Sequence, residues 1–251
     1  MNNSSFSVKK HLISHKGRQL FGYFSNKTYF CIIILTSCYE PTQKIKENKN
    51  DARFIFITHS HYDHFSLEDI RKVVNDNTIF VCTKDVKLEL EKVYKNKIIE
   101  VNVNEKYCLE DIKFETFPSY NINKAFHPRS NNWVGYVIEV NGVKYAILGD
   151  SDLTSEVRRI KCDVLFVPIG GTYTMNGKEA SELVNIIKPK LVVPVHYNGI
   201  VGNKDNEKDF LNNIKDIDDE DIENLEGKRA YAYIWNNFIE PNIKPIIVYT
   251  V

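Results

Sequence analysis

The sequence predicts an α/β protein, because short apolar runs alternate with stretches of helical periodicity. The run at residues 54–58 is too short for a helix and alternates too little for a half-exposed strand, so we interpret it as a buried strand. Residues 78–82 and 98–103 are predicted to form two further strands. A helix is predicted from the capping-box spacing Ser66-Leu-Glu-Asp69 through residues 73–74, and a second over residues 85–94, where apolar residues recur at helical spacing. This alternation is typical of a layered sheet.

The second half of the chain continues the pattern with more strands and one hairpin. We predict strands at residues 112–120, 133–140, 143–148, 163–167 and 190–195. The pair Asn141-Gly142 suits the positive φ angles of a type I′ turn and joins two of them. A helix is expected to begin at Asn176 and to stop before Pro189. Residues 207–226 are predicted to form a surface helix and linker, and residues 230–251 one or two strands.

The composition describes a globular chain without a bias toward nucleic acid. Its 251 residues are 43% hydrophobic, enough to bury one large core, so we treat residues 51–251 as a single compact domain. Lysine plus arginine equals aspartate plus glutamate at 33 each, so no basic excess is present to neutralise a phosphate backbone. The five cysteines are odd in number and scattered, which favours free thiols in a reducing compartment and hence a cytoplasmic protein.

Residues 1–50 form an atypical leader with two competing interpretations. The apolar run at residues 29–35 is far shorter than the roughly 18 to 20 residues of a spanning helix, so no stable membrane association is expected. Its β-branched and aromatic residues favour a strand of the first sheet. The alternative is a lipoprotein signal, because Leu35-Thr-Ser-Cys38 has the form of a cleavage box and would leave a lipid anchor on Cys38.

The motif His59-Ser-His61-Tyr-Asp63-His64 brings three imidazoles and one carboxylate together directly after the first buried strand. Its place between a strand and a helix is where open α/β sheets carry their chemistry. In extended chain His59 and His61 point the same way, while the following turn brings Asp63 and His64 to a second point. Neutral imidazole and carboxylate are ligands of zinc and its first-row neighbours. The motif therefore predicts a metal site with room for two ions.

Together with later motifs, this pattern resembles the metallo-β-lactamase fold, and in particular its small-molecule hydrolase branch, which includes the L-ascorbate-6-phosphate lactonase type. The further motifs are Phe126-His-Pro128, Trp133-Val-Gly-Tyr136, Gly149-Asp150, Pro168-Ile-Gly-Gly171, Tyr173-Thr-Met175 and Pro194-Val-His-Tyr197. The resemblance covers roughly residues 50 to 210. It implies an αββα sandwich, in which two mixed sheets are flanked by helices.

The resemblance also implies a binuclear zinc site. One ion would be held by His59, His61 and His127, the second by Asp63, His64 and His196, and both by Asp150 as a bridge. The two ions would supply a metal-bound hydroxide that hydrolyses a small ester, lactone or phosphorylated metabolite, with Zn²⁺ expected and Mn²⁺ or Fe²⁺ as alternatives. Asp63 is also the candidate proton acceptor. Tyr173 and Tyr197 are candidates for binding the substrate, although each is as readily explained as a packed aromatic.

Other functions stay open at this point. A mononuclear iron enzyme of the same fold is the nearest alternative. A phosphodiesterase or nuclease would need a basic groove or an inserted cap domain, which neither the balanced charge nor the length offers. A non-catalytic metal-binding protein is expected to lack a ligand, whereas all seven positions are filled. A redox di-iron protein is disfavoured, since the resembling proteins have glutamate where this chain has His61. We expect a small-molecule substrate and no nucleic-acid partner, and leave a homo-oligomer open.

Overall fold

The computed structural model describes residues 11–14, 32–35, 50, 52–140, 142–197, 204–215 and 222–224. The strands predicted at residues 230–251, the lipidation candidate Cys38 and the turn residue Asn141 lie outside this part of the chain. Within the described residues, every helix is too short or too polar to cross a bilayer.

Strands alternate with helices in the first part of the chain, and strands dominate the middle. The strands are β1 (His11–Ser14), β2 (Ile32–Leu35), β3 (Phe54–Ile57), β4 (Ile79–Cys82), β5 (Ile98–Glu100), β6 (Lys106–Leu109), β7 (Ile112–Pro118), β8 (Val134–Val140), β9 (Val143–Ile147), β10 (Val164–Pro168), β11 (Leu191–Val195) and β12 (Ile222–Asn224). The α-helices are α1 (Leu67–Val73), α2 (Lys84–Leu90), α3 (Gly177–Ile187) and α4 (Lys204–Asn213).

The described strands form two sheets. The larger sheet has the order β12-β1-β11-β10-β9-β8-β7-β6 and is mixed: β6 to β9 pair antiparallel, while the pairs from β9 through β12 are parallel. The smaller sheet has the order β2-β3-β4-β5, and its described strands are all parallel, whereas the sequence led us to expect two mixed sheets. The run at residues 29–35, predicted to be a strand, contributes β2 to this sheet.

Strand β3 shows why an evenly apolar sequence is needed at this position. Its four residues are all buried, yet they face two different layers. Phe54 and Phe56 pack in the core between the two sheets, and the Phe56 ring meets Tyr136 edge-on at 5.2 Å. Ile55 and Ile57 pack on the other side, against the helices. A strand covered on both faces has no solvent side and therefore no polar alternation.

Three hydrophobic clusters define four layers. The central cluster joins the two sheets, as the Tyr136 hydroxyl also does by donating to the carbonyl of Ile57 at 2.8 Å. A second cluster packs α3 and α4 on the outer face of the larger sheet, and a third packs α1 and α2 on the smaller sheet. The arrangement is helix, sheet, sheet, helix, which confirms the predicted αββα sandwich.

The two helix starts predicted at Ser66 and Asn176 have the expected caps. The Ser66 hydroxyl accepts from the N–H of Asp69 at the start of α1. At α3, Asn176 and Glu179 form a reciprocal capping box, each side chain accepting from the other's backbone N–H at 2.9 Å. Such caps satisfy backbone donors that the helix itself cannot pair.

Some elements differ from the sequence expectation. Strand β6 was not predicted, and α2 ends at Leu90 instead of Tyr94. The stretch at residues 207–226, predicted to be a helix and linker, contains the end of α4 but also strand β12, which pairs with β1. Of the described cysteines, Cys82 is a free, buried thiol as expected, whereas Cys108 is free and exposed.

Candidate metal centre

The candidate ligands lie where strands of both sheets end. His59, His61, Asp63 and His64 occupy the loop between β3 and α1 of the smaller sheet. From the larger sheet, His127 lies between β7 and β8, Asp150 follows β9, and His196 comes directly after β11. The seven side chains, separated by up to 137 positions in sequence (196 minus 59), meet at one edge of the sandwich.

Within the described residues these side chains form two groups with one shared member. The groups are His59, His61, His127 and Asp150, and Asp63, His64, Asp150 and His196; in each, one nitrogen or oxygen per residue lies within 4.8 Å of every other. The sequence had suggested the same division on the basis of resemblance. Asp150 belongs to both groups, so a single carboxylate stands between two potential ion sites.

The Asp150 carboxylate contacts imidazoles from three different loops. Its Oδ2 lies 3.3 Å from His127 Nε2 and 3.2 Å from His196 Nε2, and its Oδ1 lies 3.0 Å from His64 Nε2. Asp150 is 2% exposed. A buried carboxylate is costly unless it is paired or binds a cation, so its position requires compensating positive charge.

The donor set fits a metal better than it fits hydrogen bonding. Ligands held at about 2.05 Å in a tetrahedral zinc site lie about 3.4 Å apart. Here His59 Nε2 and His127 Nε2 are 3.2 Å apart, and Asp63 Oδ2 is 3.6 Å from both His64 Nε2 and His196 Nε2. Although they are close, His64 Nε2, His196 Nε2 and Asp150 Oδ1 are buried without a well-oriented hydrogen-bond partner. Bound cations would satisfy all of these atoms.

The protonation state also suits cation binding. Burial lowers the pKa of His59 well below its ordinary value, with a further contribution from His64, and burial lowers the pKa of His127 to about 4. Burial alone would raise the pKa of Asp150, but the neighbouring imidazoles of His196 and His64 lower it well below its usual value. Metal binding requires neutral imidazole and ionised carboxylate, and these groups are held in those forms at neutral pH.

His196 differs from His59 and His127 in the direction of its pKa shift. Burial alone would lower its pKa, but the carboxylates of Asp150 and Asp63 raise the pKa of His196 to about 10. Without a metal, His196 therefore carries the positive charge that offsets the two carboxylates. A bound cation would take over this role and displace the proton.

Backbone geometry at His196 is unusual. Its φ angle of +56° lies in the left-handed region, which residues other than glycine rarely adopt. The turn is packed tightly, because a Cβ at Gly170 would lie 2.2 Å from the carbonyl oxygen of His196. Such constrained conformations cluster at functional sites, and here the turn aims the imidazole at Asp150.

Two neighbours orient the first group of histidines. The Thr58 hydroxyl lies 2.9 Å from His59 Nδ1, which leaves His59 Nε2 to face the site. The Trp133 ring packs against the rings of His59, His61 and His127, with centroids 5.0, 4.7 and 5.1 Å away. Groups that fix the ring orientation of a ligand are a regular part of metal sites.

A buried polar network that sequence reasoning missed joins three of the site loops. Asn121 is not one of the predicted ligands, but its backbone N–H donates to the carbonyl of His127 at 2.8 Å. Its side-chain amide donates to the carbonyl of Tyr173 at 2.8 Å and lies 3.3 Å from Asp152 Oδ1. Lys124 pairs with the same Asp152 carboxylate. No spacing signal in the sequence connects these residues.

The two candidate substrate-binding tyrosines have different surroundings. Tyr197 is 6% exposed and packs in the core beneath α3 and α4, which favours a structural role over contact with substrate. Tyr173 is half-buried, and its ring meets that of Phe126 edge-on at 4.4 Å. Both assignments stay predictions, and the partial exposure of Tyr173 favours it over Tyr197.

The fold and the donor set together define the metallo-β-lactamase class of protein. The chain matches the family model described as the beta-lactamase superfamily domain over residues 32–196. The chain belongs to this superfamily. The match begins at β2, so the superfamily domain includes part of the segment 1–50 that the sequence had set apart.

Curated relatives include proteins of the UPF0173 group. One, from Pyrococcus furiosus, is 33% identical over 162 residues, which cover 63% of this chain and 73% of the relative. A UPF0173 metal-dependent hydrolase from Saccharolobus solfataricus is 31% identical over 166 residues, which cover 62% of this chain and 70% of the relative.

Solved structures agree with the fold. A candidate metal-dependent hydrolase from Parabacteroides distasonis superposes with a TM-score of 0.59 at 27% identity, covering 70% of this chain and 76% of the other. The metallo hydrolase Igni18 from Ignicoccus hospitalis superposes with a TM-score of 0.56 at 22% identity, covering 73% of this chain and 82% of the other. The second likeness supports the fold alone.

Proposed function

We propose that this protein is a hydrolase that holds two divalent metal ions, Zn²⁺ in the first instance, and cleaves a small ester, lactone or phosphorylated metabolite. The observation that carries the proposal is the position of Asp150, whose Oδ2 lies 3.3 Å from His127 in one group and 3.2 Å from His196 in the other. The names of the UPF0173 relatives support the reaction class.

The residues divide into holding and reacting roles. His59, His61 and His127 would hold the first ion, Asp63, His64 and His196 the second, and Asp150 both. When bound, such ions lower the pKa of water and polarise the oxygen of the scissile group. Of the described hydroxyl groups near the site, Ser151 donates to the carbonyl of Asp152, so it is engaged in the backbone and is not a free nucleophile.

Asp63 is the proposed proton acceptor. Burial alone would raise the pKa of Asp63, but the neighbouring imidazoles of His64 and His196 lower it to about 2, so the group is ionised at neutral pH. Its side chain is 27% exposed, compared with 3% for Asp150. The exposure of Asp63 supports this role, because a proton taken up there can exchange with solvent, whereas the buried Asp150 would only hold the ions.

The arrangement favours a binuclear site over the mononuclear alternative. The candidate ligands fall into two groups that share Asp150 alone, so a single ion would use one group and leave the three other residues of the second group without a cation. The metal that a site binds in the cell depends on which metals are available as well as on the ligand type. Metal analysis should therefore include Mn²⁺ and Fe²⁺ beside Zn²⁺.

The test is metal analysis of protein purified without added ions, joined to hydrolysis of ester, lactone, thioester and phosphodiester substrates. We expect two ions per chain in the wild type, about one in His61→Ala, and weaker retention of both in Asp150→Asn. Asp76→Asn, on an exposed turn, is the matched control and should keep two ions. One ion per wild-type chain would favour the mononuclear enzyme, and full hydrolysis after chelation would refute metal-dependent hydrolysis.

A further inference from the structure

Exposed apolar side chains are concentrated around the candidate metal centre. Of the six large hydrophobic residues that are strongly exposed in the described chain, three lie in the loops that carry site residues: Tyr62 at 83%, Ile122 at 57% and Phe126 at 51%. With the half-buried Tyr173, which contacts Phe126, they form what we call the apolar rim. Exposed apolar groups beside a site often mark the place where a ligand binds.

The apolar rim is tied to the site by sequence and by hydrogen bonds. Tyr62 stands between His61 and Asp63, and Phe126 immediately precedes His127. Asn121 donates to the carbonyl of Tyr173 at 2.8 Å, so the loop of Phe126 and the loop of Tyr173 are held together. A group that binds the rim would therefore lie next to the candidate ligands His61, Asp63 and His127.

The same loops offer little to recognise a second charge on the substrate. In the described loops that carry site residues, at 58–66, 119–133, 149–156 and 169–176, the basic side chains are Lys124 and Arg129. Lys124 pairs with Asp152, and Arg129 pairs with Glu156 at 2.7 Å. A phosphate group remote from the scissile bond would need unpaired cations, and these two are already neutralised.

We propose that the apolar rim binds an uncharged alkyl or aryl group of the substrate, so that the substrate class is a hydrophobic ester or lactone instead of a phosphorylated one. This inference rests on the hydrolytic function proposed above. In the reaction, water gives up one proton as its oxygen bonds to the acyl carbon, the bond from the acyl carbon to the leaving oxygen breaks, and the leaving oxygen takes up one proton. The rim contributes binding energy and does not take part in these bond changes.

The test compares γ-butyrolactone with γ-decalactone, which share the reacting ring and differ in the alkyl chain. In the metal-loaded protein, kcat/KM for γ-decalactone should exceed that for γ-butyrolactone by about ten-fold or more, because burying part of a hydrocarbon chain favours binding. Phe126→Ala should lower this ratio by about five-fold. Leu88→Ala removes an equally exposed apolar side chain from α2, at 53%, and should leave the ratio unchanged.

A binding measurement separates the two proposals. Saturation-transfer NMR on the full chain should detect contact with the alkyl protons of γ-decalactone, and Phe126→Ala should weaken the signal. If the NMR signal of the alkyl protons appears without any hydrolysis, the inference about the apolar rim is supported and the proposed hydrolytic function is wrong. If both lactones are hydrolysed equally and the alkyl protons give no NMR signal, the hydrolytic function is supported and the inference about the apolar rim is wrong. A wild-type dimer that Phe126→Ala converts to a monomer, with no chain-length preference, would assign the rim to a second copy and overturn the inference.

Discussion

The indole N–H of Trp133 donates to Asp85 Oδ2 at 2.9 Å, and this hydrogen bond fixes the ring against which three candidate ligands pack. Asp85 lies in the first turn of α2 and also accepts from the Thr83 hydroxyl at 2.6 Å. A helix of the smaller sheet therefore orients a residue of the larger sheet. The orientation of His59, His61 and His127 depends on this contact across the two layers.

Trp133→Phe tests this dependence, because it keeps an aromatic ring and removes the N–H. We expect the metal affinity to fall about ten-fold and the free energy of unfolding to fall by about 1 to 2 kcal/mol. Competition with a chelator and thermal unfolding measure the two quantities. In combination with Asp85→Ala the effects should be less than additive, because both variants remove the same hydrogen bond. Simple additivity would show that the contact does not matter.

Asp63→Asn tests the proposed role of Asp63 in proton acceptance. The variant keeps the shape and one oxygen donor but removes the negative charge, so hydrolysis should fall by about 100-fold or more. Because His64 and His196 lower the pKa of Asp63 to about 2, loss of the charge should also lower the stability of the metal-free protein, by about 1 to 2 kcal/mol. Initial rates are read beside metal content and apo stability. A variant that keeps most of its activity would place the reacting group elsewhere.

Gly170→Ala tests the tight turn at His196. The added Cβ would lie 2.2 Å from the His196 carbonyl oxygen, so that backbone must move and carry the imidazole with it. We expect the protein to lose about 1 to 3 kcal/mol of stability and most of its activity. Gly142→Ala is the control: its φ of +80° makes alanine strained, but the Cβ would meet nothing within 4 Å. That control should cost about 1 kcal/mol and leave activity intact.

Asp163 should make stability depend on pH in the acid range. Burial alone would raise its pKa, but the Lys144 N–H at 2.9 Å and the Lys190 ammonium at 2.9 Å lower the pKa below its usual value. A lowered folded-state pKa gives stability that is present above the unfolded value of about 3.9 and is lost as the pH falls through the folded value. Because the group is partly exposed, we expect about 1 kcal/mol at pH 7.

Denaturant unfolding of the wild type and Asp163→Asn between pH 7 and pH 3 measures this contribution. The difference between the two proteins should shrink as the pH falls below about 4. Asp76→Asn, on an exposed turn, should show no such change. A difference that is constant across the range would mean that the ion pair with Lys190 does not contribute.

Local signals accounted for the parts of the fold that could be predicted. The apolar run at β3 indicated a strand buried on both faces, and the structure confirms it. Capping residues Ser66 and Asn176 marked the starts of α1 and α3, because side-chain caps are encoded within four residues. The grouping of the seven candidate ligands required a resemblance, since separations of over one hundred residues leave no local trace.

The remaining features depend on contacts that local patterns do not show. Strand β6 is a short edge strand with exposed Lys106 and Cys108, so its sequence lacks the apolar signal of a buried strand. Strand β12 lies in an acid-rich stretch and forms because β1 pairs with it. Asn121 reads as a loop residue, and only the packing of three loops makes it a central donor.

The position of Asp150 and its neighbours affects how the two sheets are held together, because each group of candidate ligands contains residues from both sheets. The first group takes His59 and His61 from the smaller sheet, and His127 and Asp150 from the larger. The second group is divided in the same way. Each ion would thus link the two sheets. At a free metal concentration 100 times the dissociation constant, binding would raise the free energy of unfolding by about 2.7 kcal/mol per ion. Chelation would then weaken the contact between the two sheets, whereas the hydrogen bonds within each sheet would remain.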